Sequence, residues 1–226
     1  MGSMIEYQRN GQKVGAYLAE PTGTGPFPAV IVIQEWWGLD PHIRDIAERY
    51  AREGYVALAP DLYHGKATQD PNEAGKLMGA LNRDEAIKDL IGGVQYLKGQ
   101  KTVRADRIGV TGFCMGGSFA LLLPCKTREI KAAAPYYGEV PDEATLGALA
   151  CPVLYVYGDA DSWITRDDVQ RLEQSLKQYN KPGEVKIYSG APHAFFNDTR
   201  KDVYRAAEAQ DAWRRTLDFF TKHMKA

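Results

Sequence analysis

The run Gly112-Phe113-Cys114-Met115-Gly116-Gly117 constrains the fold of this chain more than any other stretch. It lies between an apolar predicted strand and an apolar predicted helix, and it matches the pattern G-x-S-x-G with a thiol in place of the hydroxyl. In that pattern a strand turns sharply into a helix and holds a nucleophile in a strained backbone conformation. The glycines lie two residues before and after Cys114, where side chains would make strand and helix collide.

The same turn places Cys114 at a helix N-terminus, where the helix dipole favours a thiolate. The alternative interpretation is a glycine-rich turn around a buried cysteine that acts only as a small apolar residue. The residues described below favour the reactive cysteine.

Strands and helices alternate along the 226 residues, which predicts one α/β domain over residues 1–226. Asn10-Gly11 predicts the turn of an N-terminal antiparallel hairpin over 5–18. Continuous apolar runs predict strands at 29–34, 55–59, 107–111, 131–135, 153–157 and 185–188. Apolar periodicity and capping residues predict helices at 40–52, 72–81, 84–97, 115–123, 165–179 and 201–223. The result is a mainly parallel sheet covered by helices on both faces, with ligands bound at the carboxyl ends of the strands.

The charge balance limits the classes of partner. Lys and Arg number 28 against 29 Asp and Glu, and a net charge of −1 argues against nucleic acid or an anionic membrane. No apolar run of the sequence reaches transmembrane length, and we expect no secretory signal; Met1-Gly2-Ser3 before Met4 is consistent with a remnant of an expression tag. Three cysteines without metal-ligand spacing predict a reduced, cytoplasmic setting and no metal site.

A cysteine that attacks a carbonyl needs a base and a group that orients the base. His193 is the candidate base because it follows the last predicted strand, whereas His42 and His223 are expected in solvent. Asp161 lies in the loop after the preceding predicted strand, where its carboxylate would accept the imidazole N–H. Asp159 is the competing acid and Asp198 a weaker third choice.

The loop after the strand at 29–34 reads Gln34-Glu35-Trp36-Trp37-Gly38. The backbone N–H groups of Trp36 and Met115 are the predicted donors to a developing oxyanion. Glu35 is unusual at this place, because a carboxylate is a poor neighbour for an oxyanion. It is either a surface acid or a hydrogen-bond or proton partner for the Cys114 thiol.

Together these residues resemble the dienelactone hydrolase (carboxymethylenebutenolidase) family. The resemblance extends from Ile5 to the last helix, and it rests on Gln34-Glu35-Trp36-Trp37-Gly38, Gly112-Phe113-Cys114-Met115-Gly116-Gly117, Asp161 and Ala191-Pro192-His193-Ala194-Phe195. It implies an α/β-hydrolase fold with little or no cap, Cys114 as nucleophile, His193 as base, Asp161 as its orienter, and no cofactor. It also implies that Glu35 holds the resting thiol protonated until substrate binds, which a nearby carboxylate would favour.

The chain departs from the family in its arginines. Family members that act on chloroaromatic breakdown products bind a substrate carboxylate with two arginines. One of them lies where this chain has Asn197, and the other lies in a segment, 72–81, that contains no arginine; Lys76, Arg83 and Arg200 are the nearby cations. A lysine does not replace a bidentate arginine equally.

Aromatic residues at the strand ends instead indicate an apolar ester or lactone pocket. They are Trp36, Trp37, Tyr63, Tyr136, Tyr137, Trp163, Phe195 and Phe196. From this group we predict substrate contacts for Trp37, Tyr63, Tyr136, Trp163 and Phe195.

The sequence therefore predicts a cysteine-dependent hydrolase that opens a small lactone or enol ester through an acyl-enzyme. The alternatives are a general carboxylesterase or thioesterase, and a non-catalytic ligand-binding or redox-sensing module that uses Cys114. The expected partner is a small-molecule substrate, and the expected state is a monomer, with a dimer as the alternative.

Overall fold

The computed structural model describes residues 2–225. Met1 and Ala226, the two ends of the predicted domain, lie outside the described residues. Of the predicted tag remnant, the structure therefore describes only Gly2 and Ser3. The strands are β1 (Ser3–Arg9), β2 (Gln12–Ala19), β3 (Phe27–Ile33), β4 (Val56–Pro60), β5 (Val103–Phe113), β6 (Ala132–Tyr136), β7 (Val153–Gly158) and β8 (Gly183–Tyr188). The helices are α1 (Pro41–Arg52), α2 (Pro71–Ala80), α3 (Arg83–Lys98), α4 (Met115–Lys126), α5 (Glu143–Gly147), α6 (Arg166–Gln178) and α7 (Ala206–Phe220), which continues into a π-helical turn (Thr221–Lys225).

Eight strands of the described chain form one sheet in the order β1-β2-β4-β3-β5-β6-β7-β8. The hairpin β1–β2 is antiparallel, and β2 pairs antiparallel with β4. The strands from β4 across to β8 are parallel to one another. The predicted α/β fold is thus confirmed: the sheet is mainly parallel, and the N-terminal antiparallel hairpin forms one of its edges.

Helices cover both faces of this sheet. On one face α3, α4 and α6 bury side chains such as Leu90, Phe119 and Leu172 against it. On the other face α1 and α7 do the same with side chains such as Tyr50 and Phe220. Burial of both faces explains why the parallel strands are continuous apolar runs in the sequence.

Local sequence signals position two of the predicted elements. Asn10 and Gly11 both have positive φ, 48° and 83°, as the tight hairpin turn requires. Helix α1 begins at Pro41, and the side chain of Asp40 accepts a 3.0 Å hydrogen bond from the N–H of Ile43. These hydrogen bonds and dihedral angles depend on near neighbours, so the sequence predicts them directly.

Elsewhere the structure corrects the element boundaries. Strand β5 is longer than predicted, and the short helix α5 was not predicted. Helix α7 begins at Ala206 rather than Lys201, because the N–H of Arg205 donates to the carbonyl of Phe195 and ties the preceding segment to the loop that carries His193. Among residues 2–225, we find no helix with the length and apolar content that a membrane crossing requires.

Candidate active site

Cys114 lies at the turn between β5 and α4. Its φ of 56° and ψ of −119° fall in a region that non-glycine residues rarely adopt, as the sequence pattern predicts. A Cβ on Gly112 would lie 2.1 Å from the carbonyl oxygen of Gly116, and a Cβ on Gly116 would lie 2.3 Å from that of Ile33. The two glycines therefore permit strand and helix to approach closely enough to present Cys114.

The sulfur of Cys114 is nearly enclosed. The residue is 8% exposed, and the backbone N–H groups of Met115 and Trp36 both donate hydrogen bonds to the sulfur. Burial, together with the negative charge of Glu35, raises the pKa of the thiol to about 12. Burial and the carboxylate thus favour the protonated thiol and oppose the helix dipole, which favours a thiolate.

Glu35 follows β3 and is buried beneath the loop, 2% exposed. Its Oε2 accepts a 2.7 Å hydrogen bond from Nδ2 of Asn197, and its Oε1 is buried with no hydrogen-bond partner among the described residues. Burial raises the pKa of Glu35 to about 7, although the hydrogen bond from Asn197 opposes the shift. Glu35 is thus not a surface acid, and its charge acts directly on the Cys114 sulfur.

His193 lies in the loop after β8 and meets Asp161 from the loop after β7. The distance between Nδ1 of His193 and Oδ2 of Asp161 is 2.7 Å. The other oxygen of Asp161 accepts hydrogen bonds from the N–H groups of Trp163 and Ile164, at 2.7 and 3.0 Å, which fixes the carboxylate. An acceptor at Nδ1 makes that nitrogen the proton carrier and leaves Nε2 free to accept a proton.

The two competing acids have other partners. Asp159 accepts a 2.6 Å hydrogen bond from the N–H of Gly190 and so joins two loops. Asp198 pairs with Arg49 on α1, and its second oxygen lies 3.4 Å from Nδ1 of His42. His42 is 3% exposed, so its expected place in solvent is wrong.

Two aromatic rings flank the imidazole of His193. Trp163 stacks on it with ring centroids 5.5 Å apart and an interplanar angle of 19°. The ring centroid of Tyr137 lies 5.1 Å from that of the imidazole. Nε2 of His193 is buried and has no hydrogen-bond partner within residues 2–225. The structure therefore holds the imidazole beside Cys114 in one cleft without a hydrogen bond between the two side chains.

The cleft has two lobes that share Cys114, Trp163 and His193. The first, which we call the apolar lobe, has a volume of about 290 Å³ and is lined further by Gly75, Met78, Gly79, Leu81, Arg83, Met115, Ser118, Phe119, Tyr137, Glu139 and Ile164. The second, which we call the polar lobe, has a volume of about 280 Å³ and is lined further by Glu35, Trp36, Trp37, Ala160, Ser162, Pro192, Ala194, Arg200 and Val203. The reactive groups thus lie at the junction of the two lobes, of which the apolar lobe has the larger hydrocarbon surface.

The predicted substrate-binding residues divide into three positions. Trp37 and Trp163 line the cleft. Tyr63 lies behind its wall, where its hydroxyl contacts Sδ of Met115 at 3.3 Å. Tyr136 and Phe195 are fully buried in the opposite core layer, so the substrate contacts predicted for them are corrected to packing roles.

The reason for this correction is visible in their contacts. The hydroxyl of Tyr136 lies 2.7 Å from Oγ1 of Thr216 on α7, and the ring of Phe195 packs on Tyr188 at 5.3 Å. Both side chains therefore lie in the core cluster to which α1 and α7 contribute, and neither lines the cleft.

Two residues of the site were missed as individual candidates. Tyr137 is one of the strand-end aromatics for which the sequence predicts no substrate contact. Its φ is 38°, and its buried hydroxyl, in the apolar lobe, lacks a hydrogen-bond partner among the described residues. At Asn197 the sequence shows only that an arginine of the resembled family is absent. A tyrosine next to another at a strand end was the available signal for the first, but no local signal pointed to the second.

No three His, Cys, Asp or Glu side chains between Gly2 and Lys225 come close enough together to hold a metal ion. The arrangement of side chains is that of a nucleophile, a base with its orienting acid, and two backbone donors. Such a set is suited to attack on a carbonyl carbon.

Comparison with known proteins gives a consistent result. The profile of the dienelactone hydrolase family matches residues 14–224. "Protein usf" of Aquifex pyrophilus is 38% identical over 233 residues, covering 99% of this chain and 100% of that protein. The "Putative carboxymethylenebutenolidase" of Aquifex aeolicus is 35% identical over 234 residues and is covered completely, as is this chain. The crystal structure of a "Putative Dienelactone Hydrolase" from Klebsiella pneumoniae superimposes with a TM-score of 0.92 at 32% identity, over 98% of each chain.

Proposed function

Because the chain belongs to the dienelactone hydrolase family and is a carboxylic ester hydrolase, we propose that it opens a small lactone or enol ester with Cys114 as nucleophile. The observation that carries the proposal is the position of Cys114. It lies at a strained turn, with two backbone N–H groups directed at its sulfur and with the His193–Asp161 pair in the same cleft.

In the resting enzyme the thiol keeps its proton. Burial and the charge of Glu35 disfavour a thiolate, and the sulfur occupies the place between the N–H groups of Trp36 and Met115. A protonated, enclosed sulfur is protected from oxidation between turnovers. Substrate must therefore displace the sulfur before the reaction begins.

The first chemical step forms an acyl-enzyme. The thiol proton passes to Nε2 of His193, and the sulfur forms a bond to the carbonyl carbon of the substrate. The carbonyl oxygen, now negatively charged, takes the place vacated by the sulfur and accepts hydrogen bonds from the N–H groups of Trp36 and Met115. One such donor typically stabilises the transition state by about 2.7–4 kcal/mol.

Collapse of the tetrahedral intermediate breaks the C–O bond, and His193 returns its proton to the leaving oxygen. A water molecule then loses a proton to Nε2 and attacks the thioester, which releases the acid and the free thiol. When the substrate is a lactone, the leaving oxygen stays tethered to the acyl group. Water must then reach the thioester before the ring closes again.

The test compares Cys114→Ala with Cys125→Ala, a half-buried cysteine on α4 outside the cleft. We expect wild type and Cys125→Ala to hydrolyse 4-nitrophenyl acetate and an uncharged enol lactone, and Cys114→Ala to hydrolyse neither. Iodoacetamide should inactivate the first two proteins. Turnover retained in Cys114→Ala would contradict the nucleophile role.

A substrate panel separates this proposal from a general esterase or thioesterase. Uncharged enol lactones, aryl esters and acyl thioesters are compared by kcat/KM. A preference for the lactones supports the proposal. Equal or better turnover of simple aryl esters or thioesters would replace it with the broader activity, and no turnover of any compound would favour a binding or sensing protein.

A further inference from the structure

We propose that the apolar lobe holds the acyl group of an uncharged ester or lactone, and that the cleft discriminates against an acyl group that ends in a carboxylate. This inference rests on the proposed function, because it assumes that the acyl carbon is attached to Cys114. It goes further by naming the chemical class of the substrate.

The walls of the apolar lobe are mainly hydrocarbon. Met78, Leu81, Phe119 and Ile164 line it, together with Met115, the neighbour of Cys114 in the chain. A cavity of about 150 Å³ lined by Leu, Ile and Phe is large enough to bind benzene. The apolar lobe, at about 290 Å³, therefore has room for a ring or a branched chain of several carbons.

The guanidinium of the apolar lobe already has a carboxylate partner. Nη1 of Arg83 lies 2.9 Å from Oε2 of Glu139, and both residues line the lobe. The guanidinium also lies over the ring of Phe119, 5.7 Å from its centroid. An incoming carboxylate would meet the charge of Glu139 together with that of Arg83, so it gains no net attraction from the pair.

The polar lobe repeats this arrangement. Nη2 of Arg200 lies 2.7 Å from Oδ2 of Asp202, and its guanidinium lies 6.0 Å from the ring centroid of Trp37. Glu35 lines the same lobe. Both arginines of the cleft are thus paired with carboxylates, and Glu35 contributes a further carboxyl group close to Cys114.

The two lobes have different uses during catalysis. Each lobe offers one glutamate, one serine and one arginine, so the assignment rests on the larger hydrocarbon surface of the apolar lobe, and the polar lobe is left to the leaving oxygen and the attacking water. The acyl chain stays attached to Cys114 through both steps and gains most by removal from water, so we assign it to the apolar lobe.

The test uses two 4-nitrophenyl esters of equal shape: the 4-methylpentanoate, which is uncharged, and the hemisuccinate, which ends in a carboxylate. Spontaneous hydrolysis is subtracted. We expect kcat/KM of wild type for the uncharged ester to exceed that for the hemisuccinate by roughly tenfold, since moving a carboxylate without a free cationic partner out of water into an apolar lobe is unfavourable. Equal rates, or a preference for the hemisuccinate, would overturn the inference.

The matched variants are Glu139→Gln and Glu73→Gln. Each removes one negative charge, but Glu73 lies on the exposed first turn of α2, paired with Lys76 and outside the lobe. Glu139→Gln frees Arg83 to pair with the carboxylate of the hemisuccinate. We expect the preference for the uncharged ester to shrink roughly threefold, which is the effect of one exposed ion pair, and mainly through a lower KM for the hemisuccinate. Glu73→Gln should leave the ratio as in wild type. An unchanged ratio in Glu139→Gln, or an equal change in both variants, would contradict the role of Arg83.

Failure of the proposed function would have a different signature. Wild type would then hydrolyse neither ester, or Cys114→Ala would hydrolyse both. Hydrolysis that depends on Cys114 but ignores the carboxylate would overturn only the inference about the lobe.

Discussion

Asn197 holds one oxygen of the buried Glu35 carboxylate through a 2.7 Å hydrogen bond from Nδ2 to Oε2. The orientation of the Asn197 amide is fixed, because its Oδ1 accepts hydrogen bonds from the N–H and the hydroxyl of Thr199, at 3.1 and 2.6 Å. Glu35 is therefore held by a neutral partner on one oxygen, while Oε1 has no partner among the described residues. A neutral donor offsets burial only partly, and the pKa of Glu35 stays raised, to about 7.

Replacing Asn197 by leucine should destabilise the protein. Asn197→Leu leaves Oε2 of Glu35 buried without a donor, which costs roughly 1–3 kcal/mol in the free energy of unfolding, and it raises the pKa of Glu35 further. Urea unfolding at pH 8 measures the loss. Asn72→Leu, on the exposed first turn of α2, is the control and should change the stability by about 0.5 kcal/mol or less. Equal stability of the two variants would contradict the importance of this hydrogen bond.

Glu35 should make the folded protein less stable as the pH rises from 5 to 8. Its pKa is raised from an ordinary value of 4.5 to about 7, so the unfolded chain releases the proton first. The stabilisation is complete below pH 4.5 and is lost as the pH rises through 7, by up to about 3 kcal/mol. Glu35→Gln cannot titrate. We therefore expect its free energy of unfolding, relative to wild type, to improve by about that amount between pH 5 and pH 8.

Urea unfolding of wild type and Glu35→Gln at both pH values measures this difference. Glu6→Gln, an exposed position on β1, is the control and should follow wild type. The charge of Glu35 also raises the pKa of Cys114, so iodoacetamide should label the Cys114 peptide faster in Glu35→Gln at pH 8. A parallel pH dependence in all three proteins would show that Glu35 does not titrate in this range.

Asp161 and Asp159 should differ sharply in their effect on turnover. Asp161→Asn removes the carboxylate that holds Nδ1 of His193, so we expect kcat to fall roughly 10²–10⁴-fold. Asp159→Asn affects only the hydrogen bond to Gly190, and we expect kcat close to that of wild type. Steady-state hydrolysis of 4-nitrophenyl acetate compares them. The reverse order would assign the acid to Asp159.

The glycines of the turn at Cys114 should not tolerate alanine. A Cβ on Gly116 would lie 2.3 Å from the carbonyl oxygen of Ile33, which is backbone in the centre of the sheet, so Gly116→Ala should prevent folding or strongly lower the thermal midpoint. Gly75→Ala is the control, because a Cβ there meets nothing within 4 Å and alanine stabilises a helix interior by about 0.5–1 kcal/mol. Circular dichroism melts measure both. A normal melt for Gly116→Ala would contradict the close packing of strand and helix.

The fold was predictable from sequence wherever near neighbours set the conformation. The glycine spacing around Cys114 specifies a strained strand-to-helix turn, and Asp40-Pro41 specifies the start of α1. The start of α7 was not predictable, because it depends on a hydrogen bond between Arg205 and Phe195, which belong to different local segments.

The orientation of side chains at the strand ends was harder to predict. Tyr136 and Tyr137 are neighbours, yet the first packs on α7 and the second lines the apolar lobe. Tyr136 is the last residue of β6 and Tyr137 follows it with a φ of 38°, so the chain turns between the two side chains and one enters the core while the other reaches the cleft. The sequence identified an aromatic cluster at the strand ends but not which members face the substrate.

By itself, the amino-acid sequence determined that the sheet is mainly parallel, that the chain makes a strained turn at Cys114, and which types of reactive side chain follow the strands. Glycine spacing, apolar runs and polar residues after strands are local properties of the sequence. Only the tertiary structure decided that Glu35 is buried, that Asn197 holds it, and that the arginines of the cleft carry carboxylate partners. Those properties arise from segments far apart in the chain, since Asn197 and Glu35 are 162 residues apart. Desolvation and ion pairing depend on what surrounds a group in space, and that is set only when the whole chain has folded.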